Sequence, residues 1–320
     1  MLTYYSGENM IKRVLVLAAF ACLPFQSLAA KIETLPMPIA PELPVEIVLH
    51  QQEIGVTVPP NAGMAFGLIG ALVGSAINNA QVANGEKRVA EIRNLLVDYR
   101  FNEQMEKALR AKLANAGISP QPTITVRESP WESVAATQAA TTAADVFVII
   151  PSYTLSNNFE SMSVSLNAQM VHREIKANGK PKVRPRFGRN YVFNIPMQKI
   201  DGSNADEDAK RWIALGKPGL QTLVDRGIEQ VTDMLVYDFS SEGRAESAKK
   251  VAGSEKASLN GRSYAGRQLR ADSESVWTRV GNNWMQSITA HNPISGQPVA
   301  AMPAEPAAAA PTAAAGQGSP

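Results

Sequence analysis

Ser161-Met-Ser-Val-Ser-Leu-Asn-Ala-Gln-Met170 carries an apolar side chain at every second position. Met162, Val164, Leu166, Ala168 and Met170 alternate with Ser163, Ser165, Asn167 and Gln169. A period of two describes a strand with one buried and one wet face. Asn178-Gly179 follows, and both residues tolerate the positive φ of a tight hairpin turn. Tyr191, Phe193 and Ile195 then alternate on a returning strand. Just upstream, Asp145-Val-Phe-Val-Ile-Ile150 is apolar after its first residue, the mark of a central strand buried on both faces. Pro151 ends that strand or marks its rim.

Helical patterns flank these strands. Val89, Ile92, Leu95 and Leu96 recur at three-to-four spacing, then Met105, Leu109 and Leu113 on a second helix closed by Gly117. Thr123-Ile-Thr-Val126 reads as a short strand, and Pro130 opens a helix running to Ala144. Asp206, Glu207 and Asp208 suit a helix N-terminus, whose dipole favours negative charge. Leu220, Leu223, Val224, Ile228, Val231 and Leu235 then make an amphipathic stripe that ends at Phe239. The expectation is an α/β fold over residues 86–239, a mixed sheet with packed helices.

From Asn102 to Phe239 the order is helix, strand, helix, buried strand, half-buried hairpin, helix. That order resembles the TolB amino-terminal-like α/β domain family of periplasmic envelope-assembly proteins. The resemblance rests on element order, so it transfers no functional residue. It implies a partner-binding or assembly role in a bacterial-type envelope.

The N-terminal region agrees with export. Lys12 and Arg13 precede an apolar run from Val14 to Pro24, and Ser27-Leu28-Ala29 offers a small-x-small cleavage pattern. Residues 1–29 therefore read as a signal peptide, with Met10 as the true start. Cys22, the only cysteine, follows Ala19 and Phe20, a poor acylation pattern. Cleavage near Ala29 removes it, and with it disulfides, thiolate metal sites and cysteine nucleophiles. Residues 30–61 read as an extended lead-in with β-prone runs at Val45–Leu49 and Gly55–Val58.

No charged side chain occurs from Ile54 to Gly85. Residues 62–85 read as a glycine-rich apolar helix. Gly63, Gly67, Ala71 and Ser75 lie four apart, and Gly70 and Gly74 form a second row. On a helix such rows make a flat strip for close backbone approach. Its apolar core is shorter than the ~20 residues a membrane crossing prefers. The strip is expected to pack on a membrane, on a sister copy or on its own domain. At the other end, residues 240–291 have linker composition, with Val276-Trp277 and Trp284-Met285 spelling a small appended hairpin. Residues 292–320 are an Ala/Pro tail with the composition of disorder.

The net charge of +2 excludes a dedicated nucleic-acid binder. His50, His172 and His291 are far apart, and neither HExxH, GxSxG nor GxxxxGK[ST] occurs. Ser247-Ala-Lys-Lys250 matches S-x-x-K without its companion motifs. No catalytic, cofactor or metal site is expected. One local excess of charge stands out. Lys176, Lys180, Lys182, Arg184, Arg186 and Arg189, with Arg173, face only Glu174 in the hairpin. In an exported protein their counter-ions would be lipid headgroups, lipopolysaccharide phosphates or an acidic partner. The expectation is a non-enzymatic, partner-binding protein of the periplasm or of the periplasmic face of an envelope membrane. The alternative is a soluble periplasmic enzyme acting on cell-wall or lipid material, which would gather titratable groups with perturbed pKa values in a cleft.

Overall fold

The computed structural model describes residues 42–57, 79–115, 122–140, 144–178, 181–198, 200–249, 255–259, 262–273 and 275–289. The expected signal peptide, the strip residues Gly63, Gly67, Gly70, Ala71, Gly74 and Ser75, and the tail lie outside the described residues.

Three long strands form the centre: β4 (Ala144–Ser156), β5 (Ser161–Ile175) and β6 (Pro181–Pro196). They pair antiparallel in sequence order. On the far side of β4 lie β1 (Val45–Val48) and β2 (Gly55–Thr57), both parallel to it, and β3 (Ile124–Arg127) lies parallel to β1. On the far side of β6 come β11 (Trp284–Thr289), β10 (Ser275–Val280) and β9 (Arg267–Ala271). The result is a nine-stranded mixed sheet, and the fold is α/β. A second, two-stranded sheet joins β7 (Lys256–Leu259) to β8 (Arg262–Ala265).

β4 runs through Pro151 instead of ending there. Phe147 N donates to Pro44 O on the β1 side, and alternation along the strand puts position 151 on that same side. Register with β1 reaches only Ile149, and β2 begins opposite Thr154. The missing proline N–H thus falls in the gap between two short strands, where no ladder bond is required. The intervening loop closes that gap with its own bonds. Gln51 Nε2 donates to Tyr153 O at 2.7 Å, and Tyr153 Oη donates to Gln52 O at 2.8 Å.

One face of the sheet is covered by helices α1 (Asn79–Leu95), α2 (Phe101–Asn115), α4 (Ala205–Ala214) and α5 (Gly216–Phe239). Their apolar stripes meet the inward set of β5, Met162 to Met170, with Phe147, Ile149, Tyr191 and Phe193. A capping box starts α4: Asn204 accepts from the Asp206 and Glu207 amides while Glu207 accepts from Asn204 N. Gly216, at φ +64°, separates α4 from α5. Among the described residues no helix is long and apolar enough to cross a membrane.

The opposite face carries α3 (Pro130–Gln138) at its β1–β3 end and the β7–β8 sheet at its β10–β11 end. Two sequence expectations change here. The α/β fold does not begin at residue 86, because the β-prone runs of the lead-in are strands β1 and β2, which flank the central strand. Residues 240–291 do hold the expected hairpin, as the antiparallel β10–β11 pair, but it is not appended and the segment before it is not a linker. Ser241–Ser247 is helix α6, and β9–β11 extend the main sheet, with β11 parallel to β6. Trp277 and Met285 enter the common core, and Gln230 of α5 accepts from Trp277 Nε1 at 2.8 Å and Ser287 Oγ at 2.7 Å. Those contacts bind the C-terminal strands to the body.

Candidate functional site

The structure sorts the cations of the β5–β6 hairpin by position. A bulge makes Phe187 oppose Met170 while Pro185 opposes Val171, leaving Arg186 as the extra residue. Beyond it, Lys182 and Arg184 both reach Glu174, at 3.5 and 2.9 Å. Arg186 reaches Asp145 at 2.9 Å, and the same carboxylate meets His172 Nδ1 at 2.7 Å. Local desolvation works to raise the Glu174 carboxyl, but Arg184 and Lys182 overcome it and hold it below the ordinary range. Lys176, Arg184 and Arg186 are exposed, and Lys182 is half-buried. Lys180 lies outside the described residues.

Arg189, expected on the same surface, is only 4% exposed. It donates to Asp238 at 2.7 Å, as does Arg279 at 2.9 Å, while Tyr191 Oη and Ser247 Oγ donate to the same carboxylate. Asp238 sits at the end of α5, on which the sheet and α6 converge. Burial pushes its carboxyl up, opposed by Arg189, Tyr191 and Ser247. Burial, with the Asp238 charge, also raises the Tyr191 phenol well above its usual range. The serine of the S-x-x-K match is thus a ligand of a buried carboxylate. A parallel arrangement holds the other end of the sheet. Glu46 of β1, 4% exposed, accepts from Arg173 at 3.1 Å, Arg127 at 3.3 Å and Ser133 of α3 at 2.6 Å. Both clusters are structural ties between elements.

The second face of the main sheet has a different chemistry. Register builds rows across β4, β5, β6 and β11: Ile150–Asn167–Asn190–Trp284, then Ser152–Ser165–Val192–Gln286, then Thr154–Ser163–Asn194–Ile288. None of these residues is charged. Gln169 Nε2 donates to Asn167 Oδ1 at 2.8 Å, and Asn167 Nδ2 to Asn190 Oδ1 at 2.7 Å. Ser152 and Ser165 hydroxyls meet at 2.7 Å. At the end of the floor nearer the hairpin lies α3, whose Ser133 donates to Glu46 in the row of Val148 and Gln169. Beside the floor stands β8, whose Ala265 O accepts from Thr278 and Gln286. Trp284, 42% exposed, lies in the floor, whose half-buried part is Thr154, Ser163, Ser165, Asn167, Asn190, Val192 and Asn194; Ile150 and Ser152 are buried, and Ile288 is buried against the β7–β8 sheet. Trp131 on α3 is 58% exposed. The alternation of β5 pointed to this wet face, but the contribution of β11 depends on a parallel pairing that local sequence does not encode.

Elsewhere, an open polar depression of about 410 Å³ is lined by Asp98, Tyr99, Arg100, Gln104, Gln221 and Asp225. Its acids are engaged, Asp98 with Lys217 at 2.8 Å and Asp225 by Tyr99 Oη at 2.6 Å. Among the described residues no cluster of three or more His, Cys, Asp or Glu could hold a metal ion.

No family model matches the chain. No curated protein matches it either. A solved structure described as the crystal structure of an uncharacterized protein aligns at 13% identity and a TM-score of 0.17, covering 63% of this chain and 95% of that one.

Proposed function

We propose that this chain is an exported, non-enzymatic envelope protein that binds a partner or serves an assembly. The observation that carries this reading is the outer part of the β5–β6 hairpin. Lys176, Arg184 and Arg186 stand exposed there on a braced two-stranded arm. Arg173 and Arg189, from the same run of cations, anchor the arm to the body. A stiff arm with an outward cationic rim suits recognition of an anionic partner, since exposed charges steer association while the buried ones set geometry. The leader at residues 1–29 and the TolB-like element order support the envelope as the setting. The glycine-rich strip would add a packing contact with membrane, a sister copy or the domain itself.

Cell fractionation tests this. The wild-type chain is expected in the envelope fraction at low salt and is released by high salt. Charge reversal at Lys180, Lys182 and Arg184 together should release it at low salt while its circular dichroism is unchanged. Retention of the reversed variant equal to wild type, or a cytoplasmic location of both, would sink the proposal.

A further inference from the structure

The uncharged floor on the second face calls for its own explanation. Charged residues make up 19% of this chain, yet three successive rows across four strands carry none. A wet sheet face is ordinarily kept soluble by Lys and Glu. Here it presents serine and threonine hydroxyls, a relay of amides and an indole. The amide relay runs one way, Gln169 to Asn167 to Asn190. That polarity puts the Asn190 amide donors at the end of the relay that faces Trp284, its register partner on β11.

We infer that this floor binds a neutral, linear glycan lying across the accessible positions of β5 and β6 and onto Trp284 of β11, beside β8. Three features fit that ligand, and the first disfavours a charged one. A face without charge offers nothing to a phosphate, a polyamine or an anionic headgroup, but it matches a polymer of hydroxyls without stranding any ion. The side chains of a row repeat at the strand spacing of ~4.8 Å, close to the advance of an extended chain of pyranose rings. Successive sugars can therefore meet successive strands. Trp284 supplies a flat apolar surface for the C–H face of one ring, with its polar neighbours able to take the equatorial hydroxyls. Amide side chains further favour a glycan bearing acetamido groups, whose N–H and C=O pair with an Asn or Gln in both directions. This inference is independent of the cationic arm, which lies beyond the bulge.

A soluble tetramer of N-acetylglucosamine is the probe, followed by tryptophan fluorescence and by calorimetry on the full exported chain. Saturable binding is expected. Trp284→Ala should weaken it by about tenfold or more, and Asn190→Asp should weaken it comparably by planting an uncompensated charge. Trp131→Ala should leave the affinity unchanged, and all three variants should melt near the wild-type temperature. Absence of saturable binding, or equal affinity in Trp284→Ala, would overturn the assignment. A concentration-dependent dimer that Trp284→Ala dissolves would also overturn it, by showing that a second copy covers the floor.

Discussion

Glu46 and Asp238 each carry two arginines and one serine hydroxyl, and each is at least 96% buried on that account. A buried carboxylate left with one partner fewer is costly, on the order of 3–5 kcal/mol when a pair is broken, so each cluster fixes the position of several elements at once. Glu46 ties β1, β3, β5 and α3; Asp238 ties α5, α6, β6 and β10. At the same scale His50 makes a pH prediction. It follows β1, its Nδ1 is buried without a partner, and burial lowers its pKa from 6.5 against a hydrogen bond to the Val48 backbone. The folded state therefore prefers neutral His50, and unfolding takes up a proton below pH 6.5. This contribution to stability is complete above that pH and is lost as pH falls toward the lower folded value. His50→Gln should flatten the fall in melting temperature between pH roughly 7.5 and 5. An equal fall in both proteins would show that His50 titrates freely in the folded state.

At the scale of elements, the decisive contact is where α5 crosses the sheet. A Cβ on Gly227 would stand 2.4 Å from Val164 Cγ2 and 3.2 Å from Phe193 Cδ1. The helix thus approaches β5 and β6 as closely as a bare backbone permits. Gly227→Ala gains helix propensity, but the overpacking should dominate and lower stability by about 1–3 kcal/mol in chemical denaturation. A stabilised variant would mean the helix can lift off the sheet without loss. The elements that make this contact were legible in sequence, because α5 and β5 are long enough to display periods of 3.6 and two. β1, β2, β10 and β11 were legible as short β-prone runs and a hairpin, but at three to six residues they are too short for a pattern that assigns them a place in the sheet. Arg279 compounds the difficulty: it sits in β10 at 1% exposure and looks like a surface residue until Asp238 is placed beside it. The cationic hairpin was visible as composition, yet the separation of buried Arg173 and Arg189 from exposed Arg184 and Arg186 depends on acids distant in the chain. Trp284 was equally opaque, since its row on the second face exists only through the register with β6.

For the whole molecule, the question is whether the sheet is one cooperative unit or a body with an appendage. Composition suggested the appendage; pairing argues for the unit. β11 supplies β6 with its second neighbour, Met285 and Trp277 belong to the same core as α5, and Arg279 completes the shell around Asp238. Loss of these strands would expose a long β6 edge, strand Gln230 beneath it, and leave Asp238 with one guanidinium. A chain ending at Lys249 is therefore expected to aggregate, or to unfold without a cooperative transition. A chain ending at Thr289 is expected to melt as the full chain does, because all the described contacts are then present. Differential scanning calorimetry on the two truncations decides the matter. A cooperative transition at the full-length temperature in the shorter chain would make β9–β11 a separable addition. A single transition that survives only in the longer one would place the fold's boundary at the end of β11, and with it the floor that Trp284 completes.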